Sequence, residues 1–308
     1  MLSLTNFLHF WLTDFKGEKA ALCAAFLWAV SSVVYSRLGQ RIPPLELNLL
    51  KGTIAIALLV LTLFLRGDFW IAIAPVSLCL LLLSGALGIG LGDTAFFEAL
   101  NCLGARRALL METLAPPMTA ILALIFLHER LSVGAWCGIL LTILGVAWVV
   151  TERVPGVRRP TNLLRGITCG LLAAMALATG AVLSRAVLAT TSISPLWAAL
   201  LRISAGVLVL LPWVWLRQRQ SRSQLKTLRL GQVIWAILFA AFAGTYLGIW
   251  LQQTSLKFTA AGIAQTLSNT SPLFVLPISM WMGEQVSLRA ILGVVIAIAG
   301  IAVLFYLR

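Results

Sequence analysis

Charge is scarce in this chain. Only 11% of its 308 residues are Asp, Glu, Lys or Arg, against about 25% in soluble domains. With 60% hydrophobic residues and a mean hydropathy of +0.99, that deficit excludes a soluble globular protein. Cysteine is sparse as well. Cys23, Cys79, Cys102, Cys137 and Cys169 are odd in number, sit mostly in or at the ends of apolar runs, and have neither metal-type nor disulfide-type spacing. His9 and His128 are too far apart in sequence to suggest a metal centre. No G-x-x-x-x-G-K-[ST] loop is present to cradle a nucleotide, so direct ATP drive is unsupported, and no G-x-S-x-G nucleophile elbow is present either. The sequence calls for no cofactor and no metal. Residues 1–18 lack a basic n-region and a small-residue cleavage site, so they read as an interfacial lead-in and not as a signal peptide.

What the chain has instead is one apolar run after another. A run of roughly 20 residues crosses a bilayer, and ten spans are predicted, near 19–38, 45–65, 75–100, 105–127, 133–150, 164–187, 195–216, 231–254, 260–281 and 288–307. The expected fold class is an all-α polytopic membrane protein, in the cell (inner) membrane. The net charge of +13 does not mark a nucleic-acid partner, because its 23 basic residues are mostly scattered between spans as helix-end anchors. Fourteen of them fall on the side of the connections after spans one, three, five, seven and nine, and seven on the side of the termini. The positive-inside rule applied to that count favours termini outside, and one span more or fewer inverts it, so the sequence leaves the orientation open.

The two halves repeat. An offset of 155 residues pairs Pro117 with Pro272, Glu129 with Glu284, Gly138 with Gly293 and Gly145 with Gly300. Offsets of 156 and 151 extend the match upstream, pairing Gly88 with Gly244, Gly92 with Gly248, Lys51 with Arg202 and Arg66 with Arg217. The expected organisation is a lead-in over 1–18, a five-helix repeat over 19–150, a linker over 151–163 and a second five-helix repeat over 164–308. Five is odd, so the second copy enters the membrane from the opposite face: two inverted repeats, with a substrate site near the midplane between them.

The stretch "GD..FFEAL..LGA" from Gly92 to Ala105, the proline-containing fourth span, "LHERLS" over 127–132 and its copy "MGEQVS" over 282–287 resemble the EamA-type branch of the drug/metabolite transporter superfamily. His128 stands where the usual pattern has glycine. The resemblance covers nearly the whole chain and implies a secondary transporter, an exporter of small metabolites such as amino acids, working by alternating access.

Charges inside spans cost about 2.5–3.5 kcal/mol each on insertion scales, which makes every one a functional candidate. Glu129 and Glu284 precede Ser132 and Ser287, plausible N-caps, and read as turn acids. Glu98 reads as an interfacial carboxylate paired with Arg106 or Arg107. Asp93 lies deeper, on the face it shares with Phe97, while Gly85, Gly88 and Gly92 form a smooth stripe for close helix approach. Glu112 sits four residues before Pro116 and its repeat partner is Leu267, so the acid is present in one repeat only; that asymmetry makes it the proton-coupling candidate. Lys51 and Arg202, with Asn48 one turn from Lys51, supply counter-charge. They are either a buried ion-pair system locking the halves or the site for a substrate carboxylate or phosphate. Tyr246, Gln252, Gln253, Gln265, Ser268 and Asn269 add uncharged polar groups, and Trp28, Tyr246 and Trp250 an aromatic wall. The expected partners are a small-molecule metabolite, bilayer lipid and protons. A rival reading keeps Asp93 and Glu112 as the acid pair of an intramembrane enzyme or lipid-handling protein.

Overall fold

The structure is a computed structural model describing residues 15–38, 42, 44–68, 72–103, 105–151, 162–218, 230–281 and 288–306. The lead-in before residue 15, most of the linker, and the "MGEQVS" segment with Glu284 and Ser287 lie outside the described residues. Inside a bilayer every backbone polar group must be satisfied within the segment, and the apolar runs accordingly fold as helices. They are α1 (Lys16–Leu38), α2 (Pro44–Arg66), α3 (Pro75–Gly85), α4 (Asp93–Leu103), α5 (Ala105–Glu112), α6 (Ala115–Phe126), α7 (Val133–Val150), α8 (Leu163–Thr190), α9 (Pro195–Gln218), α10 (Leu230–Ala240), α11 (Gly248–Phe258), α12 (Ala261–Ser268), α13 (Ser271–Trp281) and α14 (Leu288–Tyr306). Short π-helical segments, Ala86–Gly92 and Ala241–Leu247, join α3 to α4 and α10 to α11.

Among the described residues six stretches are long and apolar enough to cross a membrane: Lys16–Tyr35, Leu45–Arg66, Pro75–Leu100, Leu163–Thr190, Pro195–Pro212 and Val233–Phe258. Ala115–Phe126, Val133–Trp148 and Ile291–Tyr306 are shorter apolar helices. The fourth and ninth predicted runs differ from the others because each is broken in two, at Thr113–Leu114 and at Asn269–Thr270. Proline explains both breaks. In a continuous helix the ring of Pro116 would collide with the carbonyl four residues back, at Glu112, and that of Pro272 with the one at Ser268, and α5 and α12 end at those residues. Each proline then sits in the first turn of the next helix, where its missing N–H costs nothing.

The breaks and the π-segments recur at matching places in the two halves. The π-segments begin at residues 86 and 241, an offset of 155. The helix contacts match too. Gly145 packs on Ala297 while Gly300 packs on Thr142, two contacts that interchange under that offset; with Gly138 against Leu304, they make α7 and α14 antiparallel. The third run of each repeat is embraced by the other repeat. Gly88 meets Gly180 of α8, and Ser84 Oγ, 2.8 Å from Ser184 Oγ, donates to the Gly180 carbonyl at 2.6 Å. In the other half Gly244 meets Ser31, Gly248 meets Trp28, and Trp28 Nε1 donates to the Gly244 carbonyl at 2.8 Å. With lipid tails as apolar as leucine, close approach of small residues replaces the hydrophobic drive as the source of adhesion. Leu61, Phe64, Leu65 and Trp235 face outward, as a bilayer requires.

Candidate functional site

Three polar side chains meet between α2 and α4. Asn48, buried one turn before Lys51, donates Nδ2 to Asp93 Oδ2 at 3.3 Å. Lys51 Nζ lies 3.9 Å from the same oxygen, and the two side chains are 23% and 30% exposed. Lys51 also stands 5.6 Å from the centre of the Tyr35 ring, a cation–π arrangement, and the Tyr35 hydroxyl pairs with Thr245 Oγ1 at 3.3 Å. Asp93 is the first residue after a π-segment, whose wider turn resets the facing of α4.

Arg202 approaches from α9. Its backbone is pressed against Gly85 and its guanidinium lies along Gly88, where an added Cβ would stand 3.2 Å from Nη2. The side chain is buried, within electrostatic range of Asp93, and neither Nε nor Nη1 has a hydrogen-bond partner among the described residues. Glu112, half-buried on the last turn of α5, is also within electrostatic range of Asp93. Lys51, Asp93, Arg202 and Glu112 thus form one charged group drawn from α2, α4, α9 and α5. It spans both repeats.

The second-half candidates are not all brought to this group. Tyr246 packs among Leu59, Leu63 and Ile203 and pairs its hydroxyl with Thr62 Oγ1 at 2.8 Å, well along α2 from Lys51. Its ring stacks on Phe242 and tilts against Trp250. The Trp28 indole is committed to the π-segment carbonyl. Gln252, Gln253, Gln265 and Ser268 are buried, and the side-chain polar atoms of Gln253, Gln265 and Ser268 lack partners among the described residues. Asn269, at the break between α12 and α13, borders a small cavity of about 10 Å³ with Thr113, Pro116, Thr142 and Thr266. The helix breaks of both repeats therefore face the same space.

Sequence reasoning missed the polar lacing at the end of the bundle where α1 begins. Arg185 Nε meets Glu129 Oε1 at 2.6 Å, and Arg185 Nη1 donates to the carbonyls of Leu256 and Lys257 at 2.9 and 2.8 Å. Glu129 Oε2 accepts from the Ala261 amide at 2.9 Å, and Lys257 Nζ donates to the Ile193 carbonyl at 2.7 Å. Glu129 is thus more than a turn acid, although Ser132 does cap α7, accepting from the Ala135 amide at 3.0 Å. Glu98 pairs with Arg165 at 3.0 Å; the side chains of Arg106 and Arg107 lie outside the described set. Arg185 had given no signal, being one more basic residue at a span end.

Residues 15–151 and 164–306 each match the model of the EamA-like transporter family. The chain belongs to that family. It is a multi-pass membrane transporter of the drug/metabolite type, as the resemblance implied. A solved structure titled only "Crystal structure of protein" matches with a TM-score of 0.79 at 17% identity, over 96% of this chain and 98% of that one, a likeness of fold alone. The curated proteins give no match.

Proposed function

We propose that this EamA-family protein is a secondary transporter that exports small metabolites such as amino acids across the cell (inner) membrane, by alternating access between two inverted five-span repeats. The observation that carries the reading is a contrast in exposure. Lys51, Asp93 and Glu112 are part-exposed toward the end of the bundle where α1 finishes, while Gln252, Gln253 and Gln265 are sealed toward the opposite end, behind the Arg185–Glu129 lacing. Part-exposed polar groups toward one end and sealed ones toward the other are what a single stage of an alternating cycle would present. The group of Asn48, Lys51, Asp93, Glu112 and Arg202 is the substrate region. Gln252, Gln265 and Asn269 line its continuation, and Trp28 and Tyr246 hold its walls.

Glu112 is the proton site. Asp93 is held by Lys51 and Asn48, whereas Glu112 has no cation within 4.0 Å among the described residues and has no acidic counterpart in the second repeat. A carboxylate so placed is free to exchange a proton with the open side. The same commitment of Asp93 to Lys51 weighs against a catalytic acid pair. The test is flux of an amino-acid and metabolite panel in proteoliposomes under an imposed proton gradient, wild type against Glu112→Gln. Gradient-driven flux in the wild type, with exchange but no gradient response in the variant, supports the assignment; flux indifferent to the gradient in both overturns proton coupling.

A further inference from the structure

Lys51 and Arg202 occupy equivalent positions in the two repeats, and their surroundings are opposite. Lys51 has a carboxylate, an amide neighbour and an aromatic face. Arg202, only 4% exposed, has two nitrogens without partners and no carboxylate oxygen within 4.0 Å among the described residues. Asp93 does not fill the gap: it is within electrostatic range, but neither of its oxygens comes within 4.0 Å of the guanidinium. Beside the guanidinium stands Gly88, backed by Gly180, with no side chain to offer an acceptor. The fold makes room for this cation and leaves it unmatched, an expensive arrangement inside a membrane.

We infer that the Arg202 guanidinium is the receptor for a monoanionic carboxylate carried by the ligand of this pathway. A planar guanidinium matches a planar two-oxygen anion, bridging it with paired N–H donors. The charge of the group selects a monoanion. Lys51, Arg202 and Asp93 together leave one positive charge when Glu112 is protonated and none when it is ionised. A carboxylate neutralises the first state, and a dianionic phosphate overshoots both. That the ligand is transported rests on the function proposed above; that it binds does not.

The test is thermal unfolding of the full-length protein in detergent with acetate, benzoate or hippurate, with the matched amides, and with inorganic phosphate, for wild type, Arg202→Met and Arg202→Lys. At least one carboxylate raises the wild-type Tm while its amide and phosphate do not; Arg202→Lys keeps a reduced response and Arg202→Met has none. Without ligand Arg202→Met unfolds no lower than wild type, since it loses an unmatched charge. The inference is overturned if no carboxylate acts, if amide or phosphate acts equally, if the response survives in Arg202→Met, or if that variant is destabilised or fails to fold, which makes Arg202 a structural charge. A carboxylate response in protein that carries no solute in proteoliposomes sinks the transport reading and leaves the anion site standing.

Discussion

Arg185 Nε and Glu129 Oε1 stand 2.6 Å apart, and the two residues come from different repeats, α8 and the turn between α6 and α7. Through the Ala261 amide and the carbonyls of Leu256 and Lys257 they also hold the turn between α11 and α12. Replacing Glu129 by Gln removes the ionic component of this junction and strands the guanidinium. A hydrogen bond to a charged group contributes about 1.5–3 kcal/mol, so Glu129→Gln lowers the Tm measurably, and the Glu129→Gln/Arg185→Met double variant loses less than the sum of the singles. Additive losses would show that the pair is not coupled.

The Lys51–Asp93 pair behaves likewise. Removing one partner leaves the other without its ion pair, while removing both strands neither. Lys51→Met and Asp93→Asn each destabilise, and the double variant recovers part of the loss on thermal unfolding in detergent.

At the crossing of α7 and α14, Gly145 packs against the backbone of Ala297. A valine there has no space without separating the helices, and overpacking costs typically 1–3 kcal/mol. Gly145→Val therefore lowers the Tm. Gly67, where no atom approaches within 4 Å, is the control for bulk, although its φ of +69° exacts its own penalty from any other residue.

Pro116 bars α5 from continuing, because its ring would collide with the Glu112 carbonyl in an unbroken helix. Pro116→Ala, with Pro117→Ala to remove the second ring, lets α5 run on into α6. The expected result is slower amide exchange at residues 112–118 and reduced flux in proteoliposomes, since the helix break no longer yields. Unchanged exchange would show that tertiary packing, not proline, sets the break.

The features legible in the sequence were those carried by local chemistry or by the repeat. Gly145 and Gly300 aligned as a pair, and both line the helix crossing. Pro117 and Pro272 aligned as a pair as well, but the alignment did not say that each run is broken in two. The glycines from Gly85 to Gly92 foretold close packing but not the π-segment, because a stripe of small residues does not reveal an extra residue in the turn. Long-range pairing was invisible. Arg185 finds Glu129 only once α8 lies beside the α6–α7 turn, and Glu98 reaches Arg165 across the same kind of distance. Lys51 and Arg202 looked equivalent as letters; their difference arises because Asp93 has a counterpart in neither identity nor charge, its matched position in the other half being Ile249 or Gly248.

The seam between α7 and α14 reads the same from either side: Thr142 and Gly145 supply to one repeat what Ala297 and Gly300 supply to the other. A self-complementary joint of this kind ties the histories of distant codons together. Bulk gained at 145 meets the backbone of Ala297, which no change of side chain at 297 can withdraw, so the duplicated copies, free to drift apart around the charged pathway, stay held to small residues along this line.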